Sequence, residues 1–195
     1  MKKIIIIPLL QILLFANVSA QTATRPKVLT PEEYIQMFKD AAIKIMHITG
    51  VSAAITLAQG LLESANGNSD LAIKANNHFG IKVSHGWSGP YKIKKGSKYR
   101  SYDSAMESYV DHGKFLKDNN HYARLFSFDV DDYKSWALWL YKLGYAEDRK
   151  YPPKLIKMVE KFHLTDYNHQ KDPIICDTAT QCIETVTANT VKKIR

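Results

Sequence analysis

One carboxyl group, Glu63, stands near the end of a stretch that otherwise consists mostly of small and apolar residues. Residues 57–67 read LAQGLLESANG. Burial of an ionised carboxylate without a partner is costly, and the usual response is a raised pKa. A carboxyl group that keeps its proton near neutral pH is what a glycosidase needs as its general acid. Glu63 therefore predicts a proton donor that faces a cleft, and the alternative is a helix-end glutamate that points into water.

The segment that carries Glu63 is predicted to be a central helix. Ser52 can cap a helix over about residues 53–65, and few of these residues are polar. A helix with so little polar surface is expected near the centre of a domain. Thr56, Gln59 and Glu63 follow one another at offsets of three and four, so they share one stripe of that helix.

The rest of the chain is predicted to be mainly helical with one small hairpin. Capping boxes at Thr30 and Ser104 each begin a helix, and residues 66–90 are predicted to form an ordered loop. The predicted helices run from Thr30 to Gly50 and over about residues 104–117, 132–143 and 151–162, while the hairpin pairs residues 91–93 with 99–102. The sum is an α+β fold.

Both ends of the chain are predicted to lie outside the folded domain. A basic start, an apolar run and small residues before Gln21 are the layout of a secretory signal peptide. The expected division is a signal peptide over 1–20, a flexible lead over 21–29, one domain over 30–165 and a polar tail over 166–195. We therefore expect an exported protein, periplasmic or secreted, without an integral membrane segment; retention of residues 1–20 as an uncleaved anchor is the alternative.

Charge and cysteine content restrict the function less sharply. Removal of Lys2 and Lys3 with the signal peptide lowers the net charge from +8 to +6. A basic exported protein suits an anionic surface such as a cell wall, phospholipid or nucleic acid, and export argues against nucleic acid. The spacing of Cys176 and Cys182 leaves their pairing open. The histidines show no tight ligand spacing, so neither a metal nor a cofactor is expected.

Four groups of residues together resemble a known family. They are residues 58–64 (AQGLLES), residues 76–82 (NNHFGIK) with Trp87, Ser88 and Gly89, residues 99–102 (YRSY), and residues 143–148 (LGYAED) with Tyr151, Pro152 and Pro153. In this order they are similar to the bacterial endo-β-N-acetylglucosaminidases of glycoside hydrolase family 73, the peptidoglycan-cleaving domains of autolysins and flagellar wall hydrolases. The resemblance covers about residues 32–164, and the order of the four groups makes it specific.

The resemblance implies a lysozyme-like fold, in which a cleft separates a helical lobe from a small hairpin lobe. It assigns the general acid to Glu63 and a helper role to Tyr145. The implied reaction is hydrolysis of the β-1,4 bond after N-acetylglucosamine in peptidoglycan glycan strands, and we expect a monomer. Substrate binding is assigned to Gln59, Asn77, Phe79, Gly80, Trp87, Tyr102, Asp148 and Tyr151. Trp87 would stack on a sugar or, alternatively, belong to the core.

The sequence departs from the family in its hairpin. Many members carry a second acid there, whereas residues 89–100 contain no Asp or Glu. Three explanations are open. The 2-acetamido group of the substrate acts as the nucleophile with help from Tyr145, which we favour; or Asp148, Glu147 or Asp103 replaces the missing acid; or the domain binds peptidoglycan and cleaves it weakly or not at all.

Further alternatives concern the target. Muramidases share the helix-borne glutamate, so the bond that is cut stays open, and the sequence does not distinguish remodelling of the cell's own wall from attack on foreign glycans. The hairpin instead carries basic residues, namely Lys92, Lys94, Lys95, Lys98 and Arg100. These cations either contact anionic peptide stems or form a solvated face.

Overall fold

The computed structural model describes residues 28–84 and 86–173. Within them the chain forms helices α1 (Pro31–Thr49), α2 (Ala53–Ser64), α3 (Asp70–Ala75), α4 (Ala105–Lys117), α5 (Tyr133–Lys142) and α6 (Tyr151–Lys161), strands β1 (Tyr91–Lys94) and β2 (Ser97–Arg100), and two 3-10 helices, Asn120–Ser127 and Leu164–His169. This confirms the mainly helical α+β class. The predicted signal peptide, most of the lead, and Cys176 and Cys182 lie outside the described residues.

Helix α1 begins and ends as its sequence predicts. The Thr30 hydroxyl accepts a hydrogen bond from the Glu33 N–H (3.2 Å), and the Glu33 carboxylate accepts one from the Thr30 N–H (3.0 Å). This capping box is followed by Pro31 in the first turn, and Gly50 adopts a left-handed conformation at the C-terminus. The helix is thereby fixed at both ends, and its buried face packs against α2.

Helix α2 lies at the centre of the molecule, as predicted. Ten of its 12 residues are buried, and it packs against α1, α5, α6 and the second 3-10 helix. The Ser52 hydroxyl accepts from the Ile55 N–H, and Ala65 ends the helix in a left-handed conformation. Leu62 and Glu63 are half-buried, so Glu63 is the one carboxyl group that this central helix brings to a surface.

The segment predicted as a loop contains a short helix. Helix α3 is capped by Ser69, whose hydroxyl accepts from the Ala72 N–H (3.2 Å). The predicted box at Ser104 is also modified. Ser104 accepts from the Glu107 N–H, but the Glu107 carboxylate accepts from the N–H of Asp103 instead of that of Ser104. Both differences from the prediction are local, and the helices predicted around α2 are all present.

The hairpin has a tighter turn than its sequence suggested. Strands β1 and β2 are antiparallel, with Tyr91 opposite Arg100 and Lys94 opposite Ser97. Lys95 and Gly96 form the turn with φ of 48° and 75°. Two consecutive positive φ values are typical of a two-residue type I′ turn, whose twist matches that of the strands. The hairpin is joined to the loop after α3 by an antiparallel bridge between Lys82 and Tyr99.

The folded chain continues past residue 165, where the sequence predicted the tail to begin. The second 3-10 helix contains Asn168, whose side-chain carbonyl accepts from the Ser52 hydroxyl (3.2 Å) and the Ala54 N–H (3.0 Å). Asn168 thus satisfies a backbone donor at the start of α2, where helices lack internal partners. Residues 166–169 therefore belong to the folded part of the chain, with Asn168 buried. None of the helices in the described part of the chain is long and apolar enough to cross a membrane.

Candidate active site

Glu63 and Tyr145 line the same cavity, although 81 positions separate them in the sequence. The cavity has a volume of about 390 Å³. It lies where the end of α2, the loop after α3 and the segment after α5 meet. Its lining comprises Glu63, Phe79, Gly80, Ile81, Lys82, Val83, Ser84, Phe115, Tyr122, Gly144, Tyr145 and Glu147. The two residues predicted to be catalytic are therefore brought together by the fold.

The environment of Glu63 favours a protonated carboxyl group. Burial raises its pKa above the ordinary value, and a hydrogen bond from Tyr151 and the charge of Lys154 partly offset this rise. A carboxyl group whose burial opposes ionisation can hold a proton at a pH where exposed carboxyl groups have lost theirs. The direction of this shift in the pKa of Glu63 is the one that a general acid requires.

A chain of side chains runs from Glu63 into the protein interior. The Gln59 amide nitrogen donates to the Tyr151 hydroxyl (3.0 Å), and the Gln59 side-chain oxygen lies 3.2 Å from His112 Nε2. Tyr151 in turn acts on Glu63, because hydrogen bonding by its hydroxyl lowers the pKa of Glu63, and Glu63 raises the pKa of Tyr151. We call His112, Gln59, Tyr151 and Glu63 the cleft network. It joins three helices, because its members come from α2, α4 and α6.

Tyr145 reaches the cavity from the segment after α5. Its ring stacks against Tyr151, with centroids 6.0 Å apart, and its hydroxyl donates to the Phe79 carbonyl oxygen at 3.4 Å. Burial raises the pKa of this hydroxyl, and the neighbouring Tyr151 and Glu63 raise it further. The hydroxyl therefore stays neutral, and its single hydrogen is held in the long contact with the Phe79 carbonyl oxygen.

Of the three acids considered as replacements for a hairpin carboxylate, Glu147 is at the cavity. It is exposed and belongs to the lining. Asp148 is ion-paired with Lys154 (2.6 Å) and accepts from the Lys150 N–H (2.8 Å), and these hydrogen bonds lower its pKa. Asp103 belongs to another part of the surface, beside Glu107. Of these three acids, Glu147 is therefore the candidate for a second catalytic carboxylate.

The residues predicted to bind substrate divide into three groups. Phe79 and Gly80 line the cavity. Asn77 is buried, and its amide donates to the carbonyl oxygens of Ile81 (3.0 Å) and Arg100 (2.8 Å), so it shapes the loop from within. Gln59 and Tyr151 are buried behind Glu63, and Asp148 is held by Lys154. For Asn77, Gln59 and Tyr151, burial indicates support of the site in place of contact with a ligand, while binding by the exposed Asp148 stays a prediction.

Trp87 and Tyr102 line a different cavity, of about 660 Å³. The Tyr102 hydroxyl donates to Asp111 (2.6 Å), and Arg100 makes two hydrogen bonds to the same carboxylate (2.8 and 2.9 Å). The Arg100 guanidinium also lies 4.6 Å from the ring centroid of Trp87. Trp87 is half-buried and covered on one face, and it lies outside the cavity of Glu63.

Sequence reasoning missed His112, which proves to be part of the site. It is fully buried, and its ring stacks on Phe79 with centroids 3.9 Å apart. The histidines were assessed only for metal-ligand spacing, and His112 has none. The available signal was its helical spacing from the apolar residues Tyr109 and Leu116 in α4, but the sequence does not reveal which helix faces α4. The contact with Gln59 is tertiary.

Comparison with known proteins identifies the family to which this chain is similar. The profile of the family described as "Glucosaminidase: Mannosyl-glycoprotein endo-beta-N-acetylglucosaminidase" matches residues 39–164. The exo-glucosaminidase LytG of Bacillus subtilis is 35% identical over 137 residues, which are 60% of this chain and 46% of that protein. The peptidoglycan hydrolase FlgJ of Vibrio parahaemolyticus is 27% identical over 160 residues, 74% of this chain and 52% of that protein.

Solved structures show the same fold. The catalytic domain of the autolysin Auto from Listeria monocytogenes superposes with a TM-score of 0.59 at 24% identity, covering 74% of this chain and 92% of that domain. The chain spans about half the length of the curated relatives it matches. The structural likeness supports the lysozyme-like architecture, and the family is established by the profile match.

Proposed function

This chain belongs to the glucosaminidase family, and on that premise we propose that it is a peptidoglycan hydrolase that cleaves the β-1,4 bond after N-acetylglucosamine. The observation that carries the proposal is the half-buried Glu63, which lines a cavity beside Tyr145 and has a raised pKa. Glu63 donates its proton to the leaving oxygen as the glycosidic bond breaks. The resulting carboxylate then accepts a proton from the water that completes hydrolysis.

The second group in the reaction is the substrate's own 2-acetamido group. Its carbonyl oxygen forms a bond to the anomeric carbon while the glycosidic oxygen leaves with the proton from Glu63. Water subsequently opens this cyclic intermediate. Tyr145, which lines the cavity, donates a hydrogen bond to the developing charge, and for this its hydroxyl hydrogen leaves the 3.4 Å contact with the Phe79 carbonyl oxygen. We expect Tyr145→Phe to lower kcat by about tenfold or more and to change KM little.

Glu147 provides a second route for the same bond. A carboxylate at the cavity can activate water for direct displacement, and that route inverts the anomeric configuration, whereas assistance by the acetamido group retains it. The first-formed anomer, observed by proton NMR during digestion, distinguishes the two routes. Retention, with activity preserved in Glu147→Gln, supports the acetamido route; inversion, with loss of activity in that variant, assigns the base to Glu147.

The hairpin extends the proposal to the charged parts of the substrate. Lys92, Lys95 and Lys98 are exposed, and residues 89–100 contain no acid. Peptide stems of peptidoglycan carry carboxylates, which complement this surface. The neighbouring loop residue Lys82 bridges to Tyr99 and lines the cavity, so the basic hairpin is continuous with the site.

The place of action follows from the substrate. Relatives of this chain are wall hydrolases, so the proposed site of action is outside the cytoplasm. Residues 1–20 are proposed as the signal peptide that takes the chain there. Export of the chain and identification of Gln21 as the N-terminal residue of the exported form would support this assignment; a retained Met1 would contradict it.

A digest tests the proposed reaction. Residues 21–195 and their Glu63→Gln variant are incubated with purified peptidoglycan, the products are reduced with borohydride, and the reduced terminal sugars are identified by mass spectrometry. Reduced N-acetylglucosamine ends from the unaltered protein, absent with the variant, are expected. Reduced N-acetylmuramic acid ends would mean that the bond after N-acetylmuramic acid is the one that is cut. Bound protein without new ends would favour the alternative of a peptidoglycan-binding protein that has lost catalysis.

A further inference from the structure

The inner members of the cleft network have no direct contact with the cavity. Gln59 and His112 are fully buried, Tyr151 is 3% exposed, and all three lie outside the cavity lining. Tyr151 therefore approaches Glu63 from the protein side, whereas the cavity meets Glu63 from the solvent side. A carboxyl group has two oxygens, so the question is which oxygen carries the proton and what decides it.

The protonation of His112 limits the arrangements that the network can adopt. Burial lowers the pKa of His112 to about 3, so the ring is neutral and carries one N–H. Nε2 lies 3.2 Å from the Gln59 side-chain oxygen, which can only accept a hydrogen bond. With the Gln59 amide in this orientation, Nε2 carries the hydrogen, and Nδ1, which has no partner among the described residues, is left as an unused acceptor.

The hydrogen bonds then run in one direction through the network. Gln59 accepts from His112 at its oxygen and donates from its amide nitrogen to the Tyr151 oxygen (3.0 Å). Because the Tyr151 oxygen already accepts, its own hydrogen is available for Glu63. Every step toward the cavity is thus a donation.

The reverse direction is less favourable. Glu63 would donate to Tyr151, Tyr151 to the Gln59 oxygen, and the Gln59 amide nitrogen to an unprotonated Nε2 of His112. The single hydrogen of His112 would then be on Nδ1, which is buried and meets no partner in the described part of the chain. An orphaned buried N–H donor is rarer in proteins than an acceptor with unused capacity, because the lost hydrogen bond to water is not replaced.

We propose that His112 and Gln59 are positioning residues that fix the Tyr151 hydroxyl as a hydrogen-bond donor to one oxygen of Glu63, so that the catalytic proton is held on the other oxygen, which faces the cavity. This inference rests on the proposed function of Glu63 as proton donor. The network keeps the donating oxygen free, and it also stabilises the carboxylate that remains after proton transfer.

Other charged and titratable groups surround Glu63 and act on it together with the network. They are Lys82 from the loop after α3, Tyr122 from the first 3-10 helix, Tyr145 and Glu147 from the segment after α5, and Tyr151 and Lys154 from α6. Among these, the Tyr151 hydroxyl is the group whose effect reverses sign with the direction of the network. Removal of the Tyr151 hydroxyl therefore distinguishes the two directions of the hydrogen bonds.

The test measures kcat/KM for peptidoglycan against pH in the full exported chain and in Tyr151→Phe. Loss of a donor to the carboxylate raises the pKa of Glu63, so the alkaline limb of the profile is expected to move to higher pH by about half a unit or more. A shift to lower pH would mean that Tyr151 accepts from Glu63, and an unmoved limb would mean that the network has no influence. Either result overturns the proposal.

His112→Phe and its matched control separate positioning from mere packing. Phenylalanine keeps a flat ring against Phe79 but removes the donor to Gln59, so a smaller shift in the same direction is expected. His78 is also buried with a lowered pKa, but its side chain bonds Tyr34 in place of a member of this network. His78→Phe should leave the limb where it is. Equal shifts in both variants would indicate a general loss of structure and contradict the proposal.

A second readout does not depend on catalysis. The Glu63 carboxyl carbon is titrated by NMR in protein labelled with ¹³C at glutamate carboxyl groups, and its signal is identified by its absence in Glu63→Gln. A higher pKa in Tyr151→Phe than in the unaltered protein supports the network even if no peptidoglycan is cleaved, in which case only the proposed function fails. An equal or lower pKa overturns the network whether or not the protein is active.

Discussion

Two groups of hydrogen-bonded polar side chains contact α2 at neighbouring positions. One extends to the cavity, and the other lies in the core. Gln59 and Glu63 belong to the cleft network, which ends at a cavity. Gly60 and Ser64, one residue further along, face a second group of polar side chains in the core. There the Tyr109 hydroxyl donates to Tyr34 (2.9 Å), and Tyr34 lies 3.0 Å from His78 Nδ1.

We call Tyr34, His78, Tyr109 and Ser64 the core network. All of its members are at most 5% exposed. A Cβ at Gly60 would lie 2.6 Å from the Tyr34 hydroxyl and 3.0 Å from that of Tyr109, so the missing side chain gives the two phenols their space. This network is closed in the sense that its described hydrogen bonds stay within the core, whereas the cleft network ends at Glu63, which lines a cavity.

The difference separates two uses of buried polar groups. A closed network fixes how helices pack, because each of its hydrogen bonds is lost when the packing changes. A network that ends at a cavity additionally sets the proton affinity of its last member. Changes in the core network should therefore affect stability, and changes in the cleft network should affect chemistry.

The largest effect is expected from Glu63→Gln. The amide keeps the shape of the side chain but cannot donate a proton to a leaving oxygen, so kcat should fall by about a thousandfold or more. Release of reducing sugars from peptidoglycan measures it, with circular dichroism as the control for folding. Digestion at an undiminished rate would remove Glu63 from the mechanism and leave the two networks without a functional difference.

Gly60→Ala should lower the stability of the protein and leave its activity unchanged. The added methyl group overlaps the Tyr34 hydroxyl, and such overpacking costs about 1–3 kcal/mol of unfolding free energy. Chemical denaturation measures the loss, and kcat/KM per folded molecule should stay the same. Adding Tyr34→Phe removes the overlapping oxygen and should restore part of the stability. A loss of activity without a loss of stability would show that the two networks are not separate.

The buried histidines should make the same kind of contribution to stability in acid. Burial lowers the pKa of His78 to about 4 and that of His112 to about 3. The unfolded chain binds protons at these residues below about pH 6.5, while the folded chain does not, so stability falls as pH falls toward each folded pKa. His78→Phe and His112→Phe should each flatten the dependence of unfolding free energy on pH below about 6.5. An unchanged slope in either variant would place a charged histidine in the folded state.

The smallest effect is expected at the hairpin, which belongs to neither network. Replacing Lys92, Lys95 and Lys98 by Gln should raise KM for peptidoglycan a few-fold at low salt, since exposed charges contribute modestly and are screened. The difference should vanish in high salt. The matched control replaces three exposed lysines of α5 and α6, namely Lys134, Lys157 and Lys161. An equal effect in the control would assign the loss to net charge alone.

Local signals predicted much of the framework. The Thr30 capping box, the Ser52 cap and the spacing of apolar residues gave α1 and α2 correctly, because caps and periodicity act within a few residues. The short helix α3 was missed, since six residues carry too little periodicity to stand out from a polar loop. The role of Asn168 was missed because its partners are more than 100 residues away.

The site shows the same limit. The stripe of Gln59 and Glu63 was visible in the sequence, and the family resemblance added Tyr145. The residues of other helices that contact this stripe could not be identified from the sequence. His112 and Tyr151 arrive from other helices, and the partners of Asp111, which are Arg100 and Tyr102, depend on how the hairpin docks. Sequence indicated which groups could do chemistry, while tertiary packing decided which of them lie together.

The proposed role of Glu63 depends most directly on its raised pKa, and one comparison of stabilities tests it. The unfolding free energies of the unaltered protein and Glu63→Gln are measured across pH. A carboxyl group with a raised folded pKa binds more protons when folded, so the unaltered protein loses stability as pH rises from the ordinary carboxyl range to that pKa. The variant should therefore become progressively more stable than the unaltered protein over this window. A difference that stays constant or changes in the opposite direction would contradict the account.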